Sequence, residues 1–203
     1  MKNMLFIMNP KAGRTTLKNS LVDVLEVFCN NDYAVRTYLT KSADDAERIV
    51  QEEGANYDVI VCAGGDGTLG NTVTGYMKSG IRVPLGYIPC GSTNDFARSM
   101  DIPRETVEAA EMIVKAEPFS IDIGSLNDKN FVYVAAFGMF SDTSYATPQN
   151  MKNIFGHAAY VLQGIKSLAN VPSYKMKVTI DGDEQEGEFI FGMVSNSISV
   201  GGT

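Results

Sequence analysis

Cysteine pairs, histidine and long apolar runs are all scarce in this sequence, and each shortage excludes something. The three cysteines, Cys29, Cys62 and Cys90, are odd in number and widely spaced. They make neither a disulfide framework nor a zinc pair, and they read as free thiols of a reducing compartment. His157 is the only histidine; it reads as structural, since no nucleophile elbow accompanies it to form a serine–histidine–acid triad. No stretch approaches the roughly 20 apolar residues of a membrane-spanning helix. Residues 4–8 are apolar but too few for a signal peptide, and Asn9-Pro10 follows at once. Basic residues number 17 against 24 acidic ones, a formal net charge of −7, which disfavours a nucleic-acid partner. A phosphate-binding P-loop and a dinucleotide fingerprint are both missing. What remains is an ordinary globular composition, 44% hydrophobic and 20% charged, in a chain of 203 residues that can bury a core without staples.

The order of elements is more informative. Residues 4–8, 33–39, 59–63 and 83–88 read as strands, the third apolar on both faces, as in a parallel strand covered by helices on each side. Between them lie helical patterns. Leu17, Leu21, Val24, Leu25 and Phe28 mark one helix face. Ser42 and Asp45 resemble a capping box ahead of Ala46, Ile49 and Val50. Residues 69–78, 94–100 and 106–115 complete the set. This alternation predicts an α/β fold with an open parallel sheet, whose ligands bind at the C-terminal ends of the strands.

The pattern changes near residue 121. Segments 121–126 and 131–137 predict two strands joined by a hairpin loop at Asn127-Asp-Lys-Asn130. A helix is expected at 152–168, and a second hairpin pairs 175–180 with 188–194 across Asp181-Gly182. We therefore expect an α/β domain over 1–120 and an incomplete β-rich domain over 121–203. The sequence ends on a Gly-Gly turn after a strand, so the natural protein is expected to continue.

Three loops carry the chemistry: Asn9-Pro-Lys-Ala-Gly13, Gly64-Gly-Asp-Gly-Thr68 and Gly91-Ser-Thr-Asn-Asp95. All follow predicted parallel strands, so they fall on one sheet edge. Gly64 and Gly65 let an anion approach the backbone, and Gly67 and Thr68 lead into a helix whose first amides lack partners. Asp66 within such a loop would repel phosphates unless Mg²⁺ or a proton-donating substrate lay between. It is either a metal-shell ligand or a base; a plain capping aspartate is the structural alternative. Ser92, Thr93 and Asn94 offer hydroxyls and an amide to phosphate or ribose, or simply cap a helix.

Together these loops resemble the diacylglycerol kinase catalytic domain family, which includes bacterial lipid kinases and sphingosine and ceramide kinases and is distantly related to NAD kinases. The likeness rests on Asn9-Pro-Lys-Ala-Gly13, Gly64-Gly-Asp-Gly-Thr-Leu69 and the run from Pro84 to Arg98, with Asn-Asp-Phe-Ala-Arg specific to the lipid-kinase branch. Asp122-Ile-Gly124 and Gly156-His-Ala-Ala-Tyr160 add to it.

The resemblance implies an α/β domain followed by a β-sandwich, with the active site between them. It implies ATP held by Asn9, Thr40, Gly64, Gly65, Asp66, Gly67, Thr68, Ser92, Thr93 and Asn94. Asp66 would be the catalytic residue, and Asp66, Asp95 and Asp122 would join Mg²⁺ through waters. It further implies a lipid such as diacylglycerol as the substrate, reached at the membrane surface by a cytoplasmic protein lying peripherally on the inner face without a transmembrane segment. A homodimer is left open. Residues 158–168 stand as either a membrane-contacting helix or one packed on the sandwich. Two departures accompany the likeness. Gly70 and Asn71 stand where the family usually has Asn-Glu, and its later metal and catalytic positions lie beyond residue 203. The chain as it stands is expected to turn over poorly. An NAD kinase-like enzyme and a non-catalytic nucleotide- or lipid-binding protein are the rival expectations.

Overall fold

The computed structural model describes residues 1–12, 16–127, 129–138 and 173–196. Four strands, β1 (Lys2–Met8), β2 (Tyr33–Leu39), β3 (Val59–Gly64) and β4 (Leu85–Pro89), form one parallel sheet in the order β2-β1-β3-β4. The expected open parallel α/β sheet is present. Met4, Leu5, Phe6 and Ile7, and all of Ile60 to Ala63, are fully buried, because both faces of the sheet are covered.

Alternation divides these strands between two layers. Met4, Phe6 and Met8 pack with Leu17, Val24 and Phe28 of α1 (Thr16–Asn30) and with Ala109 and Ala110 of α5 (Thr106–Lys115). Leu5 and Ile7 face Ala46, Ile49 and Val50 of α2 (Asp45–Glu53). Cys62 and Tyr87 face Leu69 and Val73 of α3 (Asp66–Ser79), and Phe96 and Ala97 of the short α4 (Asp95–Ser99). With α1 on one face and α2 and α3 on the other, right-handed crossovers carry the chain first to one side of β1 and then to the other. The reversal between β1 and β3 is a topological switch point, where the loops after the two strands part and leave a crevice.

Several boundaries differ from the sequence expectation. α3 begins at Asp66, three residues before Leu69, so the Gly-rich loop is itself the first helical turn. α3 ends at Gly80, whose φ of 68° is the left-handed stop that glycine supplies. α2 starts at Asp45 after Asp44; the capping-box signal survives as the Asp45 carboxylate accepting the amides of Lys41 and Ser42 at 2.7 and 3.2 Å.

The segment expected as one strand over 131–137 is two. β6 (Lys129–Phe131) pairs antiparallel with β5 (Gly124–Leu126), and β7 (Val134–Gly138) pairs with β10 (Phe191–Ser195). Val132, 2% exposed between them, is drawn into the core beside Val73 and Phe96. The second hairpin turns where expected: Asp181 and Gly182, at φ 51° and 95°, connect β8 (Tyr174–Ile180) to β9 (Asp183–Phe189). Its return strand starts at Asp183, and residues 191–194 belong to β10 instead. The helix expected at 152–168 lies outside the described residues.

The described residues form two compact units, one within 1–134 together with 195 and 196, the other of 135–138 and 173–194. The β5–β6 hairpin, beyond the change of pattern near residue 121, belongs to the first: the amide of Asn130 donates to Thr74 Oγ1 of α3 at 3.2 Å. Among the described residues no helix is long and apolar enough to cross a membrane.

Candidate functional site

The loops after β1, β3 and β4 converge at the C-terminal rim of the parallel sheet. Asn9 continues the β1–β3 pairing, its amide donating to the Ala63 carbonyl at 3.0 Å. Its side chain then works both ways. Oδ1 accepts the Lys11 amide and Nδ2 donates to Thr68 Oγ1, each at 3.0 Å. Asn9 thus fastens the first loop to the opening turn of α3; Gly13 lies outside the described residues. Thr40 stands at the same rim, 7% exposed, its amide donating to the Met8 carbonyl at 2.9 Å.

Gly64 and Gly65 meet the third loop backbone to backbone. The Cys90 amide donates to the Gly64 carbonyl at 2.7 Å. A Cβ on Gly91 would lie 2.7 Å from the Gly65 Cα, and one on Gly64 would lie 2.6 Å from the Thr68 side chain. Only glycine permits these approaches. Gly67 has a different reason: a Cβ there would meet nothing within 4 Å. The Thr68 amide turns back to the Gly65 carbonyl at 2.9 Å, and the head of α3 ahead of it, at Asp66 and Gly67, is open to an approaching group.

Asp66 is placed where the sequence reading did not anticipate. Its carboxylate accepts the amides of Asp95 and Phe96, at 3.2 and 3.3 Å, and so caps α4 from the neighbouring loop. α4's own N-cap, Asn94, makes no side-chain cap bond. At φ 53° and ψ 52° it is left-handed, and its amide folds back to Gly91: Oδ1 accepts the Gly91 amide at 2.7 Å and Nδ2 donates to the Gly91 carbonyl at 2.9 Å. Ser92 and Thr93, expected to open the helix, stand exposed in the turn before it. Gly64, Gly65, Asp66, Gly67, Thr68, Ser92, Thr93 and Asn94 are thus brought together with Asn9.

Asp95 and Asp122 are placed differently. Asp95 is 1% exposed. The Asp122 side chain is exposed, while its carbonyl accepts Asn196 Nδ2. Among the described residues no group of three or more His, Cys, Asp or Glu side chains is arranged to hold an ion directly. Asp66 nonetheless suits Mg²⁺ held mainly through water: two amides occupy one lone pair on each oxygen, and a carboxylate offers about four. Of the two departures, Asn71 donates to the Ala43 carbonyl at 2.7 Å, while Gly70 faces open space.

Tyr87 is the site residue that sequence reading missed. Its hydroxyl lies 3.1 Å from the Gly64 carbonyl and 3.4 Å from Asn94 Oδ1. Burial first, then the Asp66 charge, pushes its ionisation far up, so the phenol keeps its proton. The available signal was a tyrosine inside a buried strand, whose hydroxyl must find a partner.

Comparisons with known proteins bear on the family and the fold. The family model for the diacylglycerol kinase catalytic domain matches residues 3–126. A diacylglycerol kinase of Bacillus subtilis (strain 168) is 36% identical over 204 residues, covering 100% of this chain and 67% of that protein. A diacylglycerol kinase of Staphylococcus aureus (strain Newman) is 34% identical over 202 residues, covering 96% and 63%. The crystal structure of a putative diacylglycerol kinase from Bacillus anthracis str. Sterne superposes with a TM-score of 0.82 at 31% identity, over 99% of this chain and 67% of that one. The chain thus spans about two thirds of the length of these relatives. On the family match, the sequence identity and the superposition, the chain belongs to the diacylglycerol kinase catalytic domain family.

Proposed function

We propose that this chain is the nucleotide-binding part of an ATP-dependent lipid kinase, which transfers the γ-phosphate of ATP to a hydroxyl of a lipid such as diacylglycerol. The observation that carries the reading is the backbone contact of Gly65 with Gly91 beside the open head of α3. It sets two loops rich in amides and hydroxyls around a space with no side chain above Gly67. Amides heading α3 would hold phosphate oxygens, with Ser92 and Thr93 at their margin and Thr40 further along the rim.

Mg²⁺, when bound, would neutralise charge on the phosphates. Asp66 would hold it through water, with Asp95 and Asp122 as the further carboxylates implied by the family likeness. Because α4's amides fix the Asp66 carboxylate, it would need no reorganisation to accept the proton of the attacking hydroxyl. The names of the relatives support a lipid acceptor over NAD. Action at the membrane surface by a peripheral protein belongs to the same reading.

The test is ATP binding by calorimetry, with and without Mg²⁺, and phosphoryl transfer to diacylglycerol in mixed micelles, both on the full-length protein. Asp66→Asn should lower turnover by about 10²-fold or more, with a thermal shift no larger than loss of a helix cap explains, about 1 kcal/mol. Wild-type turnover in that variant would defeat the role given to Asp66. Transfer to NAD and not to lipid would defeat the choice of substrate.

A further inference from the structure

Tyr87 sits in the middle of β4, paired with Cys62 of β3. Its ring is 4% exposed and tilts against Phe96 at 6.0 Å between centroids and 59° between planes. The side chain therefore spans the core beneath both loops and ends at the rim, within reach of Gly64 in one loop and Asn94 in the other. Both neighbours are acceptors. Gly64 presents a carbonyl, and the Asn94 amide cannot be turned round, because its Oδ1 takes the Gly91 amide while its Nδ2 gives to the Gly91 carbonyl. The phenol must then be the donor, sharing one proton between two loops.

We infer that Tyr87 is a positioning residue for the nucleotide, its hydroxyl setting the spacing between the loops that follow β3 and β4. The inference rests on the reading that these loops hold the phosphates of ATP. The hydroxyl does little else. Without it, the Gly64 carbonyl still has the Cys90 amide and Asn94 Oδ1 still has the Gly91 amide. Neither group is orphaned, so the usual large cost of deleting a buried partner does not arise. Tyr87→Phe keeps the ring and its contact with Phe96. What it loses is the one link at the Asn94 side chain, beside the Cys90–Gly64 bond and the Asp66 cap on α4 that remain, and the loss should register in nucleotide affinity more than in folding.

The experiment compares wild-type and Tyr87→Phe full-length protein by ATP calorimetry, thermal unfolding, and the KM values for ATP and diacylglycerol. The expected result is an ATP Kd and KM raised about five-fold, the order of one hydrogen bond, with the lipid KM unchanged and only a small melting shift. A variant that binds ATP like wild type overturns the inference, whether or not its melting temperature falls; a lower melting temperature would make the hydroxyl a fold contact only. A rise in the lipid KM equal to that for ATP overturns it too. Wild-type protein that binds no ATP defeats the functional reading itself, and this inference with it.

Discussion

The near contact of Gly65 with Gly91 can be tested by filling it. In Gly91→Ala the new Cβ would lie 2.7 Å from both the Gly65 Cα and Asn94 Oδ1, about 0.8 Å inside the carbon–carbon optimum. The first neighbour is backbone, and the second is the atom that accepts the Gly91 amide. Neither can move without opening the rim. Overpacking of this kind costs about 1–3 kcal/mol, which for a chain of this size lowers Tm by roughly 2–4 °C per kcal/mol.

Function should suffer along with stability, since misplacing a positioning group by about 1 Å costs on the order of 10²-fold in rate, and the same displacement moves the amides that would hold the phosphates. We expect the ATP Kd of the full-length protein to rise at least about ten-fold. Gly75→Ala is the control. Its Cβ would fall directly onto the Glu47 carbonyl where α3 crosses α2, away from the rim, so it should lower Tm and leave ATP affinity intact. The measurements are calorimetric titration well below both melting temperatures, and thermal unfolding. Unchanged ATP affinity in Gly91→Ala would refute the close-contact argument. Equal loss in both variants would refute its locality.

Cys29 is exposed, whereas burial pushes the Cys62 thiol up to about 12 and Cys90 up to about 11. A thiol reagent at neutral pH should therefore titrate one group in the native protein and three after denaturation; a second fast-reacting native thiol would contradict this. Glu47, its side chain 12% exposed, pairs with Lys78 and Lys129 at 2.7 and 3.0 Å, and Lys78 first, then Lys129, holds its carboxyl below the usual range. The unfolded chain takes up the proton more readily, so the contribution is complete above the unfolded value of about 4.3 and fades as pH falls through the folded one. With both lysines well exposed, Glu47→Gln should cost on the order of 0.5–1 kcal/mol at pH 7 and almost nothing near pH 3, measured as denaturant midpoints. An equal loss at both pH values would mean the contact is steric.

Much of the first unit was legible because its signals are local. Tyr33–Leu39 and Thr106–Lys115 coincide with the expected strand and helix, since apolar periodicity records which side of an element faces the core. The start of α3 was not legible. Gly65, Gly67 and Gly70 are poor helix formers, and the turn from Asp66 to Thr68 is held by its place at the sheet rim. The break at Val132–Tyr133 was hidden because an apolar run does not say which partner each half will find. β6 pairs with β5, and β7 pairs with β10, about sixty residues later in the chain.

The sequence by itself determined the layered α/β order and the three loops on one edge, because strand and helix periods and the placing of glycine are written in neighbouring residues. Tertiary structure alone decided what Asp66 touches. Its partners are the amides of Asp95 and Phe96, far along the chain and reached only after β4 has joined β3. The same holds for Tyr87, whose hydroxyl serves two loops. A hydrogen bond is a matter of distance and direction in space, and a parallel sheet brings together carbonyls and amides that no local pattern connects.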